Sequence, residues 1–105
     1  MNVKSNAYAW ASSTSESDIT LVEGDKNLQR VIIDNQTAYP VAITSGVSAA
    51  TAAFPTSATV PVGCKVIGAN QCMTYTKNIG DGVLSLIQGT ADSGKYVYVY
   101  LGSGE

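Results

Sequence analysis

The chain has 105 residues, which suits a single domain with a modest hydrophobic core. Its net charge is −2 and only 13% of its residues are charged, so it lacks the basic face that binding to nucleic acid or to an anionic membrane requires. Histidine is absent, which removes the usual general base and the commonest metal ligand. These features predict a non-enzymatic protein with no cofactor, no metal, and no nucleic-acid or membrane partner.

The first elements in chain order are an aromatic segment and a serine-rich linker, which are predicted to form an N-terminal arm over residues 1–17. Tyr8 and Trp10 are too apolar to stay in water, so the arm either folds back onto the domain or docks on a neighbouring subunit. Residues 12–17 are polar and span roughly 20 Å when extended. We predict that the arm is an attachment device with Tyr8 and Trp10 at an interface, and that deleting residues 1–12 leaves the domain folded.

The domain is predicted to cover residues 18–105 and to consist of short β-strands. Runs of alternating or β-branched residues recur roughly every ten residues and are separated by turn residues. This spacing predicts an all-β fold, a single antiparallel β-sandwich or barrel of about 7–8 short strands, with almost no helix. The predicted strands cover residues 18–22, 28–34, 41–44, 59–62, 64–67, 71–77, 83–88 and 95–101, and residues 46–59 are predicted to form a loop.

Two cysteines lie on either side of a possible hairpin turn at Gly68–Asn70. That hairpin would place Cys64 opposite Cys72, so a cross-strand disulfide is geometrically conceivable. The start of the chain shows no signal peptide, and we therefore expect synthesis in a cytosol, where thiols remain reduced. Free thiols are the prediction, and the disulfide is the alternative.

The acidic residues fall near predicted turns, where aspartate accepts hydrogen bonds from neighbouring backbone amides. We expect solvated carboxylates at Asp18, Glu23, Asp25, Asp34, Asp81 and Asp92. The run Asn35-Gln36-Thr37 matches a glycosylation acceptor, but without a secretory signal we interpret the match as chance.

The last strand carries the clearest pattern, because three tyrosines alternate with three aliphatic residues over residues 96–101. Alternation at period two sends the two sets to opposite sides of a strand. The aliphatic set, predicted to enter the core, is Val97, Val99 and Leu101. The aromatic set, predicted to lie at an interface, is Tyr96, Tyr98 and Tyr100.

The tyrosine stripe has three possible roles. It forms a second core layer or lies beneath the N-terminal arm, it forms a subunit interface, where tyrosine is enriched, or it stacks on sugar rings. Sugar sites usually combine aromatic rings with planar polar side chains, and on this strand only Lys95 is nearby.

Three stretches of the chain resemble small β-sandwich proteins of tailed-bacteriophage virions, of the head-decoration or cement type. They are residues 60–63, 72–83 and 94–102, in a chain that is low in charge and rich in Ser, Thr and Gly. The resemblance implies a virion structural protein, assembled in the host cytoplasm, that bridges neighbouring capsid subunits without doing chemistry. It also implies a homo-oligomer, with a trimer favoured, and contact with the major capsid protein or another virion protein. The alternative is a carbohydrate- or receptor-binding β-module of a phage fibre or tail.

Overall fold

A computed structural model gives the fold and describes residues 7–55 and 64–102. Within these residues, eight strands form two antiparallel four-stranded sheets that pack face to face. The predicted antiparallel β-sandwich is confirmed, and the predicted strand at residues 59–62 lies outside the described residues. The strands are β1 Tyr8–Ala11, β2 Ser17–Thr20, β3 Arg30–Asn35, β4 Val41–Gly46, β5 Lys65–Ile67, β6 Cys72–Thr76, β7 Val83–Gln88 and β8 Tyr96–Gly102.

The first sheet, called sheet 1, has the strand order β1-β8-β3-β6 and joins the two ends of the chain. Val99 of β8 lies between Tyr8 of β1 and Ile33 of β3. Because side chains alternate along a strand, Val97, Val99 and Leu101 all face inward, and each is completely buried. The predicted core face of the last strand is therefore confirmed.

The second sheet, called sheet 2, has the strand order β2-β7-β4-β5. Its inner side supplies Leu84 and Leu86 of β7, and Ile43 of β4 lies opposite Leu86. These side chains meet the aliphatic residues of sheet 1 to form one hydrophobic cluster. Burial of this apolar surface, at roughly 25 cal/mol per Å², is the main term that holds the two sheets together.

The centre of the outer side of sheet 2 is covered by the chain itself. Ala42 and Ser85 point to this side, yet both have no exposed surface. The segment that follows β4, residues 47–55, lies against this side, where the Ala52 amide donates to Ser85 Oγ at 2.8 Å. Gly46 allows the chain to fold back this tightly, because a Cβ there would collide with the carbonyl of Ala49. We call residues 47–55 the covering segment.

The predicted boundary between an arm and a domain at residue 17 is wrong for the residues that the structure describes. Strand β1 pairs with β8 along its whole length, and β2 begins at Ser17. Between them, Ser12 Oγ donates to Gln88 Oε1 at 2.5 Å and accepts from the Asp92 amide at 2.7 Å. Residues 8–17 therefore belong to the sandwich, and of the two roles considered for the arm, folding back onto the domain is the one observed.

One end of the sandwich contains a buried polar network. Asn35 has no exposed surface, and its side-chain amide donates to the carbonyls of Tyr39 and Gly68 at 2.9 and 3.1 Å. Gln88 donates to Thr37 Oγ1 at 2.8 Å and so connects β7 of sheet 2 to the loop after β3. Because every donor of the Asn35 amide faces protein carbonyls, its position in a glycosylation-like motif reflects structure rather than modification.

Candidate functional site

The outer side of sheet 1 is open to solvent and carries the tyrosines. We call it the tyrosine face and define it by the side chains that point away from the core on the four strands: Ala9, Ala11, Arg30, Ile32, Asp34, Cys72, Thr74, Thr76, Tyr96, Tyr98 and Tyr100. Its margins on β1 and β6 are exposed, and its centre is half-buried by its own large side chains. It is the broadest aromatic surface in the described part of the chain.

The register of the strands arranges this face in rows. Tyr98 lies beside Asp34, Tyr100 lies beside Ile32, and Gly102 lies beside Arg30 on the neighbouring strand. Each row continues on β6, so that Cys72 follows Asp34, Thr74 follows Ile32 and Thr76 follows Arg30. The result is a flat array of aromatic, aliphatic and charged side chains.

The tyrosine rings themselves stay accessible. Tyr96 is 43% exposed, and its ring centre lies 6.2 Å from that of Tyr98 with the planes tilted by 35°. This distance lies in the range of favourable aromatic pairs, so the two rings support each other in an extended surface. The proposal that the stripe forms a second core layer is wrong for Tyr96, and strand β1 lies beside the stripe rather than above it.

The charged residues of the face were not recognised as site residues from the sequence. Arg30 and Asp34 both lie on β3 with Ile32 between them, and all three are half-buried. The signal was weak, because three apolar residues follow one another between Arg30 and Asp34 in the sequence, although burial alternates along the strand. Asp34 also accepts a hydrogen bond of 2.8 Å from Gln36 Nε2, which fixes its carboxylate at the edge of the face.

Trp10 does not belong to the candidate interface, which corrects the prediction from the sequence. It is 3% exposed and packs in the hydrophobic core between the sheets. Its indole Nε1 donates to Ser17 Oγ at 2.7 Å, so the polar edge of the ring is also satisfied inside the domain. A side chain in this position cannot contact a neighbouring subunit without unfolding β1.

Tyr8 also points inward, two residues before Trp10 on the same side of β1. Its hydroxyl donates to Asp25 Oδ2 at 2.6 Å and accepts from the Val22 amide at 3.0 Å. Its ring packs against the core. Tyr8 therefore joins β1 to the single turn of 3-10 helix at Glu23–Asn27, and its predicted place at an interface is wrong as well.

The far end of the sandwich buries three charged residues, of which two were expected to be solvated. Asp25 and Asp81 are 4% and 5% exposed, and Lys77 is 1% exposed. The Lys77 ammonium donates to the carbonyl of Lys26 at 2.7 Å, and Asp81 accepts from Ser45 at 2.8 Å. Burial lowers the pKa of Lys77, and the nearby carboxylates of Asp81 and Asp25 act in the opposite direction. Mutual compensation between these charges explains why aspartates in turns can be buried here.

A second acidic group lies beside the covered side of sheet 2. A hydrogen bond between the carboxyl groups of Glu16 and Asp18 raises the pKa of Glu16, and the Ser85 hydroxyl, which donates to Glu16 Oε2, acts against that rise. Ser85 thus joins Glu16 to the covering segment through its second bond, to the Ala52 amide. We assign this group a structural role, because it ties β2 and β7 to residues 47–55.

The two cysteines do not face each other. Strand β5, which follows Cys64, pairs with β4 in sheet 2, whereas Cys72 begins β6 in sheet 1. The hairpin on which the alternative disulfide depended is therefore not formed, and both cysteines are free, as predicted. Lys65 spans the gap between the sheets, with its Nζ donating to the Thr74 carbonyl at 2.9 Å. Cys72 is exposed, so its thiol is a natural chemical reporter on the tyrosine face.

Over residues 7–55 and 64–102, no pocket and no group of three or more metal-binding side chains is found. In the same ranges, no helix has the length and apolar character needed to cross a membrane. No protein-family model, curated protein or solved structure matches this chain. The tyrosine face is therefore identified as the candidate site from its composition and exposure alone.

Proposed function

We propose that this protein is a non-enzymatic virion structural protein of the capsid-decoration type, and that it uses the tyrosine face as its protein-binding surface. The observation that carries the proposal is the contrast between this open, flat aromatic face and the covered outer side of sheet 2. The virion is proposed as the place of action because of a sequence resemblance to head-decoration proteins, which covers residues 60–63, 72–83 and 94–102.

The composition of the face suits contact with protein. Tyrosine and arginine are enriched at the centres of protein interfaces, since each combines a large apolar surface with a polar group. Ile32 and Tyr100 form an apolar centre, and the charges of Arg30 and Asp34 lie on either side of it. A flat surface of this kind fits another flat protein surface, whereas a small molecule requires a concave site.

The attachment role moves from the N-terminal segment to the tyrosine face. Tyr8 and Trp10 point into the sandwich and are held there by hydrogen bonds to Asp25 and Ser17, so their side chains are engaged within the domain. The remaining three candidates from the sequence, Tyr96, Tyr98 and Tyr100, lie together on one surface. They therefore become the leading contacts to the major capsid protein or another virion protein.

Co-sedimentation with virus particles tests this proposal. The particles are those of the virus that encodes the chain, prepared without it, and the variant is Tyr98→Ser with Tyr100→Ser. We expect the double variant to stay folded but to lose at least about tenfold in particle binding, because both rings leave the centre of the contact. The matched control is Tyr39→Ser, since Tyr39 is 38% exposed and lies in the loop after β3, off the tyrosine face.

Two results would contradict the proposal. The first is that wild-type protein does not bind particles and is absent from purified virions by mass spectrometry. The second is that the double variant binds as well as Tyr39→Ser, which would place the contact elsewhere on the domain.

A carbohydrate-binding module is the second candidate, and one observation favours it. Tyr98 lies beside Asp34, whose carboxylate is held by Gln36, so an aromatic ring has planar polar side chains next to it. Sugar rings stack on such pairs. Binding of the wild-type chain to a glycan array, abolished by Tyr98→Ser and unchanged by Tyr39→Ser, would support this function over the first.

A further inference from the structure

We propose that, in the absence of particles, the tyrosine face binds a second copy of this chain, in a two-fold, face-to-face dimer in which Arg30 lies opposite the partner's Asp34, and that particles compete with this dimer for the face. The inference rests on the proposed function in one respect, that the tyrosine face binds protein. It goes further by naming the partner, the symmetry and the residues that fix the register.

The first observation is the order of side chains along β3. On the outer side this strand presents Arg30, then Ile32, then Asp34, which places a positive charge, an apolar residue and a negative charge at equal spacing. The two charges are four residues apart, or about 13 Å along the strand. Reversing the direction of this pattern exchanges its positive and negative ends, so it is complementary to itself.

A two-fold axis makes use of this property. If the axis lies between two copies of sheet 1 and runs across the strands along the row of Ile32, each β3 meets its copy in the opposite direction. Arg30 then comes opposite the partner's Asp34, and the symmetry repeats the same contact at the other end. Sheets that pack face to face in this way lie about 10 Å apart, a gap that long side chains fill.

The neighbouring strand β8 places an aromatic pair at the centre of the contact under the same axis. Tyr100 lies in the row of Ile32, so the two copies of this tyrosine meet on the axis. One axis therefore pairs opposite charges on β3 and brings the two copies of Tyr100 together on β8.

The area available predicts a weak dimer. Four strands about 4.8 Å apart and on the order of six residues long outline a face of roughly 400 Å² per copy. A standard specific interface buries about 800 Å² per partner, so this face lies at the small end of the range. We expect dimers at protein concentrations of about 100 μM and above rather than at nanomolar concentrations.

Sedimentation velocity on charge-reversed chains tests the arrangement. Arg30→Glu puts two negative groups opposite each other at both ends of the contact, and Asp34→Arg puts two positive groups there. Each variant alone should weaken the dimer at least about tenfold. An equimolar mixture of the two variants should form a mixed dimer again, because every reversed charge then meets an opposite charge. The control is Thr20→Glu, on an exposed position of β2 in sheet 2.

The outcomes separate this inference from the proposed function. A wild-type chain that stays monomeric at about 1 mM, or forms a trimer, overturns the two-fold contact even if Tyr98→Ser with Tyr100→Ser still loses particle binding. Charge variants that dimerise like the wild type, or a mixture that does not recover, also overturn it. A dimer with the expected charge response but without particle binding supports the two-fold contact and overturns the proposed function.

A milder pair of variants guards against a loss of folding. Arg30→Gln and Asp34→Asn remove one charge each with little change of shape, and thermal melting shows whether the domain remains intact. Each should weaken the dimer by a smaller factor than the charge reversal at the same position. If neither neutral variant changes the dimer while both melt like the wild type, the charges do not fix the contact and the inference fails.

Discussion

The outer sides of the two sheets differ although both sheets have four antiparallel strands. On sheet 2, Ala42 and Ser85 are completely buried, and the covering segment donates a hydrogen bond to Ser85. On sheet 1, Tyr96 is 43% exposed, and the outward residues of β1 and β6 are exposed as well. The centre of the outer side of sheet 2 is therefore closed by the chain's own residues, although Thr20 at its edge is exposed, whereas the outer side of sheet 1 stays open and is the side that we propose binds a partner.

This difference teaches how the chain divides its apolar surface. The centre of the outer side of sheet 2 includes the small residues Ala42 and Ser85, and Ser85 accepts a hydrogen bond from the covering segment. The outer side of sheet 1 carries large tyrosines, each with a polar hydroxyl that tolerates water. A face of this kind is stable in the free chain and still gains from burial in a complex.

The largest expected effect is a loss of stability when an aromatic residue of β1 is removed from the core. Trp10→Ala should destabilise the domain by about 3–5 kcal/mol, since it leaves a cavity between the sheets and an unpaired Ser17. Tyr96→Ala should change the free energy of unfolding by no more than about 0.5 kcal/mol in the free chain. Urea denaturation of both variants measures the difference. Deleting residues 1–12 should likewise unfold the domain, because it removes β1.

Equal stability of Trp10→Ala and the wild type, or a truncated chain that melts normally, would show that β1 is not part of the core. Such a result would support the original hypothesis that the N-terminal segment is an attachment arm.

The next largest effect is a difference in stability between substitutions at two neighbouring residues of β8. Val99→Ala removes completely buried methyl groups and should cost about 1–3 kcal/mol. Tyr98→Ala, one residue earlier on the open side, should cost clearly less in the free chain. Thermal melts of the two variants compare these losses of stability. A stronger loss for Tyr98→Ala would mean that the two sides of β8 had been exchanged.

Ser85→Ala probes the closed side directly. It removes the acceptor of the buried Ala52 amide and the donor to Glu16, and should cost about 1–2 kcal/mol. Limited proteolysis within residues 47–55 should become faster, because the covering segment loses its hydrogen bond to sheet 2. Unchanged proteolysis together with unchanged stability would show that the segment is held by packing alone. Thr20→Ala, at an exposed position of β2 in the same sheet, is the control.

The smallest effect is a dependence on pH. The pKa of Glu16 is raised above its ordinary value of 4.5, so the folded state binds this proton more tightly than the unfolded chain. Stability from this group is therefore present at low pH and is lost as the pH rises through the raised value. Glu16→Gln keeps the bond from Ser85 without the charge and should be more stable than the wild type at pH 7, by no more than about 1 kcal/mol.

Denaturation midpoints of wild type and Glu16→Gln at several values between about pH 4 and pH 7 measure this effect. The advantage of the variant should grow as the pH rises. A difference that stays constant, or that shrinks with rising pH, would contradict the proton shared between Glu16 and Asp18.

Local pattern sufficed to predict the fold class and the two sides of β8. Alternation over residues 96–101 depends only on the geometry of a strand, and Val97 and Val99 are buried as that geometry requires. Residues 30–35 carry three consecutive apolar residues and no such alternation, so the position of Arg30 and Asp34 beside the tyrosines follows only from the register of β3 against β8. That register is a long-range property, which the sequence does not show.

The corrected predictions all depend on partners that are distant in sequence. The aromatic N-terminal segment looked separate because its partner strand, β8, lies at the other end of the chain. Asp25 looked solvated because its hydrogen-bond donor is Tyr8, 17 residues earlier. The hairpin considered between Cys64 and Cys72, on which only the alternative disulfide depended, is absent because the chain crosses there from one sheet to the other. Local spacing carries no information on such crossings.

The rate of thiol alkylation at Cys72 tests the central claim, that the tyrosine face is the surface used in assembly. The rate is measured in a Cys64→Ser background, for the free chain and for the chain bound to particles or self-associated at high concentration. The control carries Thr20→Cys with both natural cysteines replaced by serine, and so reports on sheet 2. The account predicts that assembly slows alkylation at Cys72 at least about tenfold and leaves the Thr20→Cys control unchanged. Slower alkylation of the control, with Cys72 reacting as in the free chain, would contradict it.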